Sequence, residues 1–279
     1  MKKIIINTFI LLSCTLGSPL LFAAAGGAKS ADDVAKELAN PNTALASLNF
    51  KFQYRTFKGD LVQANEQEST MVLFQPSLPF PREDGSKIIF RPAVPMLIDQ
   101  PVLGTDGFTG QSGLGDITFD LVYAPKSAPG ALRGYGVFGT LPTGDEDLGQ
   151  GELTALGPDI LYGQMTSENL FGVLAFHQWD IAGDVDISQS NAQILAVFLP
   201  GGGWNYASSP TISYDWKGEE WTVPLNFTFG KTLLLGNRPW KFGLEFNYYL
   251  EQPDAFGPEW MVSFSITPVV ENVMANWFR

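Results

Sequence analysis

Alternating apolar and polar residues predict an all-β chain, an antiparallel transmembrane β-barrel of about 12 strands behind a short N-terminal helical leader. Three observations carry this prediction. The number of alternating stretches is even. The connections between them switch between long and short. The tryptophans gather at strand ends, where a membrane interface would hold them.

Composition sets the bounds. Apolar residues are 45% of the 279, aromatic residues 13% and charged residues only 16%. That charged fraction, well under the ~25% of ordinary soluble domains, excludes a disordered chain. The 29 glycines and 19 prolines show no period, which excludes a collagen-like one. The net charge of −12, with no basic cluster beyond the start, would repel a phosphate backbone, so no nucleic-acid partner is expected.

Met1-Lys2-Lys3, the apolar run to Leu21 and the small residues Ala23-Ala24-Ala25 read as a signal peptide over 1–25, cut after Ala23 or Ala25. Cys14, the only cysteine, falls inside it. Leu11-Leu12-Ser13-Cys14 also fits a lipobox, but the apolar run resumes at Leu20-Leu21-Phe22, which favours the plain signal peptide. The mature chain then lacks cysteine, and disulfides, thiol catalysis and Cys-based zinc sites are excluded.

Residues 26–48 form a periplasmic leader or a plug. Ser30-Ala31-Asp32-Asp33 caps a short helix carrying Val34, Leu38 and Ala39 on one side, and Asn40-Pro41 stops it.

The barrel is expected over 49–279. No uninterrupted apolar run there approaches the ~20 residues of a membrane helix. Strands are expected over 49–56, 69–79, 86–98, 113–124, 134–141, 158–164, 169–180, 190–199, 204–215, 221–235, 239–250 and 258–268. In the first, Phe50, Phe52 and Tyr54 oppose Lys51, Gln53 and Arg55; in the eleventh, Phe242, Leu244, Phe246 and Tyr248 oppose Lys241, Gly243, Glu245 and Asn247. Long connections lie near 57–68, 99–112, 142–157, 181–189 and 251–257, and short ones at 165–168, 200–203 and 236–238. With both termini periplasmic, the long ones fall outside, save a short hairpin at 217–220 and a longish turn at 125–133. An aromatic belt follows: Trp204 and Trp240 at the periplasmic side, and Trp179, Trp216, Trp221 and Trp260 at the extracellular side.

A Lys or Arg facing lipid at the bilayer midplane costs roughly 2–4 kcal/mol. Lys51, Arg55 and Arg91 are therefore assigned to the lumen, and Asp116, Asp120, Lys241 and Glu245 join them as pore-lining residues by parity. Glu245 needs a partner, and closure brings the first strand close, so Lys51 or Arg55 is expected there.

Several motifs in succession resemble a known family: Leu38-Ala39-Asn40-Pro41 with Ala46-Ser47-Leu48; Gly113-Leu114-Gly115-Asp116; Leu141-Pro142-Thr143 with Leu148-Gly149-Gln150-Gly151; the run from His177 to Asp184; Tyr214-Asp215-Trp216-Lys217; Glu220-Trp221-Thr222-Val223-Pro224; and Gly257-Pro258-Glu259-Trp260. Their order is similar to that of the bacterial outer-membrane proteins labelled "transporter" or "meta-pathway of phenol degradation", and often mislabelled neuromedin U. The resemblance spans nearly the whole mature chain. It implies a Gram-negative outer-membrane barrel passing small, often hydrophobic or aromatic compounds. Val269 to Arg279 departs from it as a tail beyond the expected last strand.

The rival chemistries are thin. His177, the only histidine, has Ser188, Ser190 and Asp180 nearby in sequence, which raises a lipid-modifying enzyme as the alternative. Yet no serine carries a nucleophile signature, and His177 shares parity with Trp179, a belt position. Asp145-Glu146-Asp147 with Glu152, and Asp180, Asp184 and Asp186, read as solvated loop acids, because no glutamate completes an EF-hand. No metal, no cofactor and no enzymatic activity are expected. The expected function is a channel for small molecules, with a non-conducting structural barrel as the other alternative. Expected partners are outer-membrane lipids and lipopolysaccharide, small solutes and the barrel-assembly machinery.

Overall fold

The computed structural model describes residues 29–236 and 238–278, so the signal peptide lies outside the described residues. Fourteen strand segments follow one helix. They are β1 (Ala46–Lys58), β2 (Glu68–Pro81), β3 (Lys87–Gly104), β4 (Gly107–Leu114), β5 (Ile117–Ala124), β6 (Ala131–Leu141) and β7 (Thr154–Met165) in the first half. The second half holds β8 (Asn169–Ala182), β9 (Ser188–Gly201), β10 (Trp204–Ser208), β11 (Thr211–Asp215), β12 (Glu220–Leu235), β13 (Arg238–Glu251) and β14 (Gly257–Val270).

These segments make a closed barrel of 12 antiparallel strands, because two strands are each broken once. β4 and β5 both pair with β3, with Gly115 and Asp116 between them. A side chain on Gly115 would begin 2.7 Å from the Pro95 ring, so the chain steps out of the ladder where only glycine fits. β10 and β11 both lie between β9 and β12, separated by Ser209 and Pro210, and Pro210 has no N–H to give the ladder. β1 pairs with β14 from Ala46↔Val270 to Lys58↔Gly257, and closure leaves no edge.

The alternation has the expected sense. Phe52, Leu121, Ile160, Phe171, Phe227, Leu244 and Phe264 are exposed on the outer wall. Ile89, Val122, Leu161 and Leu170, of opposite parity, are fully covered inside. One connection differs from its expected form. β3 and β4 run on through most of 99–112 and turn over at Thr105-Asp106, so that stretch is a projecting hairpin and not a loop. Its Asp, Thr, Gln and Gly residues do not alternate, since above the membrane neither face meets lipid.

The helix α1 (Ala31–Ala39) forms where expected, with Ser30 and Asp33 closing a capping box and Asn40 ending it. Val34 and Ala35 are its buried residues. Ala39 packs on the cluster of Leu132, Met165, Leu170, Val197 and Leu199, so α1 lies at the barrel end that carries the turns at 129–130 and 166–167, with its apolar face on the wall. Asp32 fastens it by accepting from the Gly203 N–H. At the other terminus, β14 extends to Val270, and Val273–Phe278 form a short 3-10 helix tied by Asn272 Nδ2 to the Pro79 carbonyl at 2.7 Å.

Candidate functional site: the barrel lumen

The lumen is built from the inward positions of neighbouring strands, and register fixes which of them meet. Across β13, β14 and β1 the rows are Lys241 with Thr267, Gly243 with Ser265 and Lys51, Glu245 with Ser263 and Gln53, and Asn247 with Met261 and Arg55. Lys51 Nζ reaches Glu245 Oε2 at 3.4 Å. Glu245 Oε1 accepts from Asn226 Nδ2 at 3.0 Å and Asn247 Nδ2 at 3.2 Å. Both carboxylate oxygens are therefore engaged. Arg55 donates to Gln53 Oε1 at 3.1 Å, and its buried Nε has no acceptor among the described residues. Lys241 likewise has no acceptor among them, and the charge beside it is Lys51.

A second cluster lies on β3, β5 and β7. Arg91 Nε donates to Asp120 Oδ2 at 2.9 Å, and its second nitrogen reaches the same oxygen. Asp159 lies against Asp120, is 1% exposed, and has no donor on either oxygen among the described residues. Arg91 also donates to the Pro41 carbonyl at 2.9 Å, Lys87 to the Asn42 carbonyl at 2.6 Å, and Asn42 Nδ2 to the Arg133 carbonyl at 2.9 Å. The leader is thus stitched to the inner wall just before it enters β1. Between α1 and the turns at Pro129-Gly130 and Thr166-Ser167 an opening of about 640 Å3 remains, edged by Lys29, Asp33, Lys36 and Glu37.

Sequence reasoning missed Asp159, although its parity with Leu161 in a half-polar strand could have found it. Asp116 has a different place from the one expected. It sits in the break between β4 and β5, off the strand face that carries Asp120. Its Oδ1 accepts from the N–H groups of Thr143, Gly144 and Gly151 at 3.0, 2.8 and 3.0 Å. Asp145 Oδ2 accepts from Leu114 N–H at 2.8 Å. Together they fold the 142–153 loop inward, and its Leu148 packs on Met71 and Leu97 of the inner wall.

The six tryptophans expected in a belt lie on the outer wall or at its rims. Trp179, Trp204, Trp216 and Trp221 are exposed, while Trp240 and Trp260 are half-buried among neighbours. His177 belongs to that outer surface. Its Nδ1 lies 2.7 Å from Ser190 Oγ, its Nε2 3.3 Å from Ser188 Oγ, and its ring 4.1 Å from that of Trp179. Ser190 Oγ also accepts from Trp216 Nε1 at 2.9 Å. Asp180 turns away to accept from Ile187 N–H at 2.9 Å, so no carboxylate orients the imidazole among the described residues. Among the loop acids Asp186 pairs with Lys217 at 2.9 Å, which holds its carboxyl below the usual range and raises the ammonium. No group of three or more metal-ligating side chains occurs among the described residues.

The fold has solved counterparts. The chain is similar to an outer membrane channel from Pseudomonas putida F1, with a TM-score of 0.62 at 13% identity over 81% of this chain and 95% of that one. It is also similar to the NanC porin, with a TM-score of 0.50 at 11% identity over 80% of this chain and 99% of that one. No protein-family model matches the sequence, and no curated protein matches it. At such identities the likeness is one of fold alone, a closed antiparallel β-barrel.

Proposed function

We propose that the protein is a Gram-negative outer-membrane channel that passes small molecules, hydrophobic or aromatic ones among them, and performs no enzymatic chemistry. The observation that carries this reading is the inward wall of the closed barrel. Lys51, Arg55, Lys241 and Glu245 face a space that lipid cannot enter, and charges so placed need water or solute. The family resemblance of the sequence motifs supports the same substrate class. Export through the 1–25 signal peptide, assembly by the barrel machinery and contact with lipopolysaccharide belong to this proposal.

On this reading α1 and the 142–153 loop are the periplasmic and extracellular constrictions. The opening beside α1 is the periplasmic exit. A liposome-swelling assay over sugars, fatty acids and aromatic compounds tests the proposal. Swelling with small aromatics above the rate for sugars of equal mass is the expected result. No swelling by any solute, even after deletion of residues 26–45, would make the barrel a structural one.

A further inference from the structure

We propose that Asp159 and Asp120 hold a monovalent metal cation against the inner wall of the barrel. The site rests on the fold and not on transport, so a barrel that passed no solute would still bind the ion. Register brings the two carboxylates to one place. Asp159 on β7 pairs with Gly136 on β6, and Asp120 on β5 pairs with Phe138, the next inward residue of β6. A side chain on Gly136 would begin 2.0 Å from the Leu121 carbonyl oxygen, so only glycine fits between the two strands at this row. Asp159 lies against Asp120 across that gap. Phe176 is the row partner of Asp159 on β8, and its ring stacks on that of Phe138 at 3.9 Å. The carboxylates therefore lie beside an aromatic stack, with Asp159 1% and Asp120 8% exposed.

Three carboxylate oxygens at this place have no donor among the described residues: both of Asp159 and Oδ1 of Asp120. Arg91 does not supply one. It gives Nε and one terminal nitrogen to Asp120 Oδ2, and the other terminal nitrogen to the Pro41 carbonyl. Thr140, on the same wall, donates to Gln178 Oε1 at 3.0 Å instead. A carboxylate withdrawn from water without a partner is costly, so a positive species is required. A shared proton would join one oxygen of each carboxyl and leave the second oxygen of Asp159 orphaned. A metal ion can engage all three at once.

The leader adds an orphan of the same kind. Asn42 is fixed through Nδ2 on the Arg133 carbonyl, and its buried Oδ1 has no donor among the described residues. That oxygen lies 3.8 Å from where a Cβ on Gly134 would stand, and Gly134 is the inward residue next to Gly136. Acceptors that are all oxygen suit a hard cation. Charge sets the valence. Arg91 against Asp120 and Asp159 leaves one negative charge, which a single monovalent ion cancels.

The test uses the purified barrel in a non-ionic detergent at about pH 8 and constant ionic strength, with sodium chloride exchanged for choline chloride. The midpoint temperature of the heat-modifiable transition should rise saturably as sodium replaces choline, because only the folded chain holds the site. Asp159→Asn keeps the shape, removes the charge and should abolish that rise. Asp186→Asn, in the exposed pair with Lys217, should keep it. Equal midpoints in the two salts would overturn the site, as would a rise that survives Asp159→Asn or vanishes in Asp186→Asn. A midpoint that follows pH and ignores sodium would give the pair a shared proton in place of the metal. Should Asp159→Asn fail to fold, the unsubstituted protein decides alone. The sodium NMR resonance should be broader over the folded barrel than over the heat-unfolded chain, and equal widths would overturn the site.

Discussion

A carboxylate on an inner barrel wall is tolerable when every oxygen has a donor, and Glu245 has three. Glu245→Gln removes the charge and keeps the shape, so Lys51 loses its counter-ion while the strand register stays. The barrel should assemble as before, and the reversal potential in a salt gradient should move towards anions. An unchanged potential would place Glu245 outside the ion path. Parity and closure predict Lys51 or Arg55 as the partner of Glu245, and Lys51 takes that place because both residues follow strict period-two geometry. Asn247 shares the polar face of Glu245 by parity, but Asn226 was not legible as a partner, since it enters from β12 and only register reveals it. Asp116 misled for a related reason. Its parity matches that of Asp120, but Gly115 breaks the strand before the parity counts. Its three backbone donors make Asp116→Ala a loop mutation. Leaving those N–H groups unpaired costs about 1–3 kcal/mol, and single-channel recordings should show larger, noisier conductance as Leu148 leaves the wall.

At the scale of elements the helix was the most legible piece, because a capping box is local chemistry. The Ser30 hydroxyl and backbone N–H hold the Asp33 carboxyl below its ordinary value of 3.8. A carboxyl so lowered stabilises the cap at every pH above its unfolded value. That contribution is lost as pH falls through the folded value. Acidification below about 4 should therefore loosen α1 at its end of the barrel and raise conductance, with no change between pH 5 and 8. Ser30→Ala, which keeps only the backbone donor to Asp33, should give a partly loosened state at neutral pH and a smaller acid step. A conductance step of equal size in both proteins would mean that the cap does not hold the helix. Where α1 docks was not legible, since Ala39 meets Leu132 and Leu170 only after six strands have curved round to face it. The projecting hairpin of β3 and β4 was hidden for the opposite reason, as strands outside lipid carry no alternation to read.

For the whole molecule, closure is the decisive event, and its register bears on the C-terminal tail. Strand number and the sense of the alternation were legible because lipid outside and water inside impose them on every strand. The end of the last strand was not, since Val269 and Val270 differ little in character from the Val273-Met274 that follows. Register decides it: Val270 pairs with Ala46, and the contacts described for the 3-10 helix beyond are the hydrogen bond from Asn272 and the burial of Ala275. A chain ending at Glu271 keeps every row of the β1–β14 ladder. It should refold in detergent with the same heat-modifiable shift as the full chain and a slightly lower melting temperature. A chain ending at Ser263 loses the rows from Phe264 to Val270 and with them the pairing of Lys51 with Ser265 and of Lys241 with Thr267. The backbone groups of β1 and β13 would then face lipid unpaired, at several kcal/mol for each group, and no heat-modifiable species should form. If the shorter deletion alone abolished that species, closure would depend on the tail, and the ladder from Ala46 to Lys58 would not be what seals the barrel.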